Sequence, residues 1–112
     1  VYRENTEGEY APVGGHLYPG SDHEVAVQTG VFTRRGCDRI LRAAFDAART
    51  RPRKKLTSIT KSNAQVYSMS LWDDVFETVR KEYPDVQSNS LLVDACAMDF
   101  VRRPETFDVV VA

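Results

Sequence analysis

The chain has 112 residues, 42% apolar and 28% charged, which suits one small globular domain with one core. Lys and Arg number 15 against 16 Asp and Glu, a formal net charge of −1, so the composition speaks against a protein built around a polyanion. No apolar run approaches the ~20 residues that cross a bilayer, and neither a membrane nor a nucleic acid is an expected partner.

Val1 and Tyr2 read as the end of a strand. The polar cluster Arg3 to Tyr10, RENTEGEY, follows at once. Residues 1–24 are rich in Gly, Pro and acids, with turn signals at Gly14-Gly15 and Pro19 to Asp22. They are expected to be irregular, and residues 11–32 to form an arm that ends in a strand, Val25 to Phe32. Thr33 has the chemistry of a helix N-cap. Ile40, Leu41, Ala44, Phe45 and Ala48 then make one helical face, and Pro52 closes that helix.

Lys55 to Thr60 is β-branched and apolar enough for a strand that leads into Lys61-Ser62-Asn63. A second helix is expected over 70–83. Ser70 and Asp73 have capping-box spacing, and Trp72, Val75, Phe76, Val79 and Tyr83 share one face. Leu91 to Val93 reads as a brief strand, Asp94 to Arg102 as a short helix, and Phe107 to Val111 as the last strand. Strands and helices in alternation point to an α/β fold with a mixed sheet and flanking helices. A first residue that is not Met, and a last strand with no turn after it, raise the expectation of an internal segment of a longer polypeptide. Cys37 and Cys96 have neither CxxC nor metal-ligand spacing. They read as buried free thiols, which suits a reducing, cytoplasmic setting.

Four constellations carry possible chemistry. The basic run Arg49, Arg51, Arg53, Lys54, Lys55 could bind phosphate, but cations at a helix C-terminus also offset the helix dipole, and no aromatic residues interleave with them. Lys61 sits at the C-terminal end of a strand, where open α/β sheets place ligands. It could be a base or an exposed, solvated lysine. Asp94 could cap a helix or present a carboxylate to a hard cation. In RENTEGEY, Arg3 can grip a carboxylate through two hydrogen bonds, and Tyr10 can donate a proton. Glu4, Glu7 and Glu9 could mark a metal, though three acids on a loop are more often solvated. His16 and His23 lie among the turns with no zinc spacing.

These constellations occur in one recognisable order. Arg3 to Tyr10 is followed by Val31-Phe32-Thr33-Arg34, then Leu56-Thr57-Ser58 with Lys61-Ser62-Asn63, then Val93-Asp94-Ala95, then Phe107-Asp108-Val109-Val110. The whole chain resembles the metal-dependent β-decarboxylating dehydrogenases that act on isopropylmalate, isocitrate, D-malate or tartrate. ENTEGEY, KSNAQ and SMSLWDD look most like the tartrate and D-malate branch.

The resemblance implies an isopropylmalate dehydrogenase-like fold, with residues 1–112 forming part of the smaller, dimer-forming domain. It implies NAD, Mg²⁺ or Mn²⁺, and a 2-hydroxy dicarboxylic acid substrate. Arg3 would hold a substrate carboxylate. Tyr10 would protonate the enol left after CO₂ departs, and Lys61 would take the C2 hydroxyl proton. Asn63 would contact substrate or the nicotinamide end of the cofactor, and Asp94 would be a metal ligand. Lys61 and Asp94 would serve the neighbouring subunit of a homodimer with shared active sites. A G-D-x-x-S-D segment with two further metal carboxylates would follow Ala112, so the 112 residues alone are expected to be inactive. The alternatives are a 3-isopropylmalate dehydrogenase, a non-catalytic dimerisation module and, last, a nucleic-acid binder that uses residues 49–55.

Overall fold

The computed structural model describes all 112 residues. In chain order the elements are β1 (Gly8–Leu17), β2 (Val25–Val31), α1 (Arg34–Arg49), β3 (Lys55–Thr60), α2 (Val66–Arg80), β4 (Gln87–Leu92), α3 (Val93–Arg102), a 3₁₀ turn (Pro104–Thr106) and β5 (Val109–Val111). They form a body of helices on a parallel sheet and a separate antiparallel hairpin. The α/β class expected from the sequence is borne out. The parallel and antiparallel pairings are divided between two sheets rather than mixed in one.

β3 is the centre of the body. It pairs in parallel with β4 on one side and β5 on the other. A central parallel strand is covered on both faces, and Leu56, Thr57, Ser58 and Thr60 are all buried. Two of its hydroxyls are satisfied from outside the ladder. Thr57 Oγ1 donates to Asn89 Oδ1 at 2.9 Å, and Ser58 Oγ accepts the Trp72 indole N–H at 2.9 Å. Beyond β5, Tyr2 lies parallel to Val111 and exchanges backbone bonds with Val110 and Ala112. The first residues of the chain thus extend the sheet beside its last ones.

Thr33 is the N-cap of α1, with its Oγ1 accepting the Gly36 N–H at 3.0 Å. The predicted face of α1 packs inward, with Leu41, Ala44, Phe45 and Ala48 buried. The face of α2 does the same through Trp72, Val75, Phe76 and Val79. Phe45 stacks on Phe76 and on Tyr83, with ring centroids 6.0 and 5.0 Å apart. Burying rings of this size contributes about 1.5–3 kcal/mol each, so this contact is the main cement between the two helices. Both cysteines are free and buried, as expected. No helix is long and apolar enough to cross a membrane.

The boundaries depart from expectation in four places. Residues 8–17 are a strand, not irregular chain. It pairs with β2 from Val13↔Thr29 to Leu17↔Val25, with a register shift toward Gly8↔Val31. α2 begins at Val66, not Ser70. Gln65 is its N-cap and makes no side-chain cap bond, while the Ser70 hydroxyl donates back to the Val66 carbonyl. β4 is longer than expected, six residues, and runs straight into α3. Its last residue, Leu92, is therefore the N-cap, and Asp94 lies inside the first turn of α3.

The basic run does not simply sit at a helix end. Arg49 meets Asp85 with two hydrogen bonds, at 3.0 and 2.9 Å. Arg51 Nε donates to Asp108 Oδ1 at 2.6 Å. Arg53 and Lys55 donate to backbone carbonyls of residues 105–107. Arg51, Arg53 and Lys55 tie the segment before β5 to the chain between α1 and β3, while Arg49 ties the end of α1 to the segment before β4.

Candidate active site

The C-terminal ends of β3 and β5 open into a cavity of about 500 Å³. Such crevices beyond the carboxyl ends of parallel strands are where open α/β sheets place ligands. Thr60 and Lys61 enter it from β3, and Ala112 from the residue after β5. Arg3 enters from the loop that begins at the edge of the same sheet, and Tyr10 from the start of β1. Trp72 and Phe32 supply apolar wall. The sheet explains the convergence. Tyr2 pairs with Val111, Glu4 N–H donates to Ala112 O at 2.9 Å, and that register delivers Arg3 beside the exits of β5 and β3.

The Arg3 guanidinium donates to the Tyr10 hydroxyl and lies 4.9 Å from its ring centroid. Both residues are exposed, Tyr10 by 51%, so a ligand can reach them. Lys61 Nζ donates to Asp94 Oδ2 at 2.5 Å. The Lys61 side chain is 30% exposed and that of Asp94 75%. Asn63 lies in the turn between β3 and α2, exposed and outside the set of residues that line this cavity. The structure thus groups Arg3, Tyr10 and Lys61 around one cavity of a single chain, with Asp94 bonded to Lys61 at its rim and Asn63 apart.

Sequence reading left the glutamates as solvated acids, and the structure gives two of them partners. Glu4 accepts the backbone N–H of Thr6 at 2.6 Å and lies 3.3 Å from the Arg39 guanidinium. Burial pushes its carboxyl up. The N–H groups of Thr6 and Glu7 and the charge of Arg39 outweigh that and hold it below the usual carboxylate range. Glu7 accepts the Thr33 N–H at 2.8 Å and its hydroxyl at 2.9 Å. The only sequence sign of this contact was the N-cap itself. Cys37, on the cavity wall, is pushed up to about 11 by burial and then by the charges of Glu7 and Glu4, so it is no nucleophile near neutral pH.

A hard cation such as Mg²⁺ takes about six oxygen ligands. No group of three His, Cys, Asp or Glu side chains in the structure could hold a metal ion. Asp94 is one exposed carboxylate, already paired with a lysine. The residues of this chain do not make a metal centre by themselves.

Comparisons with known proteins give the chain its family. A family model described as isocitrate/isopropylmalate dehydrogenase matches residues 1–112. The chain is 53% identical over all its residues to the D-malate dehydrogenase [decarboxylating] of Escherichia coli (strain K12), and covers 31% of that protein. It is 48% identical over its full length to a probable tartrate dehydrogenase/decarboxylase of Bacillus subtilis (strain 168), again covering 31%. Among solved structures, isocitrate dehydrogenase from Methylococcus capsulatus superposes with a TM-score of 0.89 at 41% identity, over 97% of this chain and 32% of that one. The chain belongs to the isocitrate/isopropylmalate dehydrogenase family. It spans about a third of the length of the curated relatives it matches.

Proposed function

We propose that this chain is part of an NAD-dependent, divalent-metal-dependent dehydrogenase that oxidises and decarboxylates a 2-hydroxy dicarboxylic acid of the D-malate or tartrate type. The observation that carries the reading is the convergence of the bonded pair Arg3 and Tyr10 on a cavity at the carboxyl ends of the parallel strands, in a chain whose relatives bear those names. The reaction explains the residue types. Hydride leaves C2 of the substrate for NAD⁺ while the C2 hydroxyl proton goes to Lys61. The product is a 2-keto acid with a carboxylate on the β-carbon. That carboxylate departs as CO₂, its bonding pair forms the enolate, and Tyr10 returns a proton to carbon.

Arg3 fixes a substrate carboxylate with its planar fork. Lys61 is the base in this scheme, and Asp94 holds its amine at 2.5 Å. A Mg²⁺ or Mn²⁺ ion, when bound, supplies charge stabilisation for the enolate, with Asp94 as one of its ligands. Asn63, exposed in the turn after Lys61, is free to contact substrate or nicotinamide. The residues that complete the cation site lie outside this chain, and the isolated 112 residues are inactive.

The working unit is a homodimer with shared active sites. Val13, Leu17, Val25 and Val27 on the hairpin, and Met98 and Val101 on α3, are all 45% exposed or more, apolar surface of the kind a second copy covers. The engagement of Arg49, Arg51, Arg53 and Lys55 within the chain favours this reading over nucleic-acid binding.

The test is NADH formation by the full polypeptide with D-malate, tartrate and 3-isopropylmalate, each with Mg²⁺ or Mn²⁺. One of the first two substrates should give the highest kcat/KM. Lys61→Met and Tyr10→Phe should each lower kcat by about 10²–10⁴-fold, the size of an acid–base contribution. Wild-type protein inert toward all three, or variants as active as wild type, would overturn the reading.

A further inference from the structure

The first turn of α1 holds Arg34 and Arg35 and no acid, although a helix N-terminus favours negative charge. The missing charge comes from 26 residues upstream. Both Glu7 carboxylate oxygens accept the Thr33 hydroxyl, at 3.0 and 2.9 Å, and Oε1 also takes the Thr33 backbone N–H at 2.8 Å. One turn further along, Gly36 is shaped to the same carboxylate. A Cβ there would lie 2.1 Å from Glu7 Oε1. Glu4 adds a second tie to α1 through Arg39 at 3.3 Å and ties the loop to itself through the N–H groups of Thr6 and Glu7. Arg3 and Tyr10 bracket this anchored stretch.

We propose that Glu7 is a positioning residue: it latches the loop that runs from Arg3 into the start of β1 onto the N-terminus of α1 and so fixes where Arg3 and Tyr10 meet the substrate. The chemistry calls for such a latch. The pairing of Tyr2 with Val111 sets the start of this stretch, but the side chains of Arg3 and Tyr10 are exposed and bond chiefly to each other, so neither anchors the residues between them. A charge-assisted contact to a helix end, in a notch that only glycine leaves open, supplies that reference. Misplacement of about 1 Å at reacting groups costs on the order of 10²-fold in rate. The kinetic part of this inference rests on the function proposed above; the structural part does not.

The experiment compares wild type, Glu7→Ala, Glu7→Gln and Gly36→Ala in the full polypeptide by hydrogen exchange over residues 3–10 and by steady-state kinetics. Glu7→Ala and Gly36→Ala should speed exchange in the loop by about tenfold or more, as expected for the loss of charge-assisted hydrogen bonds. Exchange in β3 and α2 should stay as in wild type. With substrate, Glu7→Ala should lose about tenfold or more in kcat, and Glu7→Gln, which keeps an acceptor for Thr33, should recover most of it. Loop exchange unchanged in Glu7→Ala overturns the latch. So does a kcat that falls only in step with the folded fraction. If wild type lacks dehydrogenase activity altogether, the functional reading fails, and loop exchange alone decides the latch.

Discussion

In β3, four of six residues are buried; in β1 and β2 together, only Gly8 and Ala11 are. Both regions are sheet, yet different forces hold them. The body is held by burial: a one-residue slip of β3 would swap Leu56 with the hydroxyl residues between its two covered faces and break the bonds of Thr57 and Ser58. The hairpin has no core to set its register. Its alignment rests on its backbone ladder, on the turn closed by Ser21 and Tyr18, and on Gly14, where a Cβ would strike the Val27 carbonyl at 2.1 Å. A region fixed by geometry alone is free to offer both faces to something else.

The sharpest way to break this comparison is to cut the body at its centre. Phe45→Ala removes a fully buried ring stacked on two others and should cost about 3–5 kcal/mol of unfolding free energy in a urea titration. A loss under 1 kcal/mol would mean that the helices are not held by this contact.

An intermediate effect lies where the loop meets α1. Glu4 is held below its ordinary value, so its contribution to stability is fully present above that value and is lost as pH falls through its lower folded value. Arg39→Ala removes one of the causes. In urea titrations between about pH 6 and pH 3, the variant should start less stable than wild type and lose less stability on acidification, because its Glu4 is held down by fewer partners. Superimposable acid profiles would show that the Arg39 contact contributes nothing.

The smallest effect belongs to the arm. Val27→Ser should change the unfolding free energy of the single chain by no more than about 0.5 kcal/mol. A larger loss that grows with protein concentration would place a second copy on the hairpin and sharpen the contrast into an interface.

The same division governs what the sequence disclosed. The inward faces of α1 and α2 and the Thr33 cap were legible because burial writes a 3.6-residue period and capping needs a hydroxyl at one position. β1 was not, because GEYAPVGGHL is exposed on both sides and has no alternation to read. The start of α2 was missed for a related reason: Val66 and Tyr67 are exposed, Tyr67 by 94%, so the apolar stripe begins a turn later than the helix. The cap reading of Asp94 fails because β4 passes into α3 with no loop between them, which makes Leu92 the N-cap. Lys61, Arg3 and Tyr10 could be singled out by residue type, but their meeting depends on the pairing of Tyr2 with Val111, across the whole length of the chain. The partners of the basic run lie just as far off in sequence, and no local pattern announces them.

Trp72, the only tryptophan in the chain, stands on the cavity wall with its indole N–H on Ser58 of the central strand. Indole emission follows the polarity and motion of its surroundings. The chain therefore carries a built-in fluorophore where a ligand would arrive, and a change in its spectrum on adding a dicarboxylic acid would register occupancy of the cavity without any turnover.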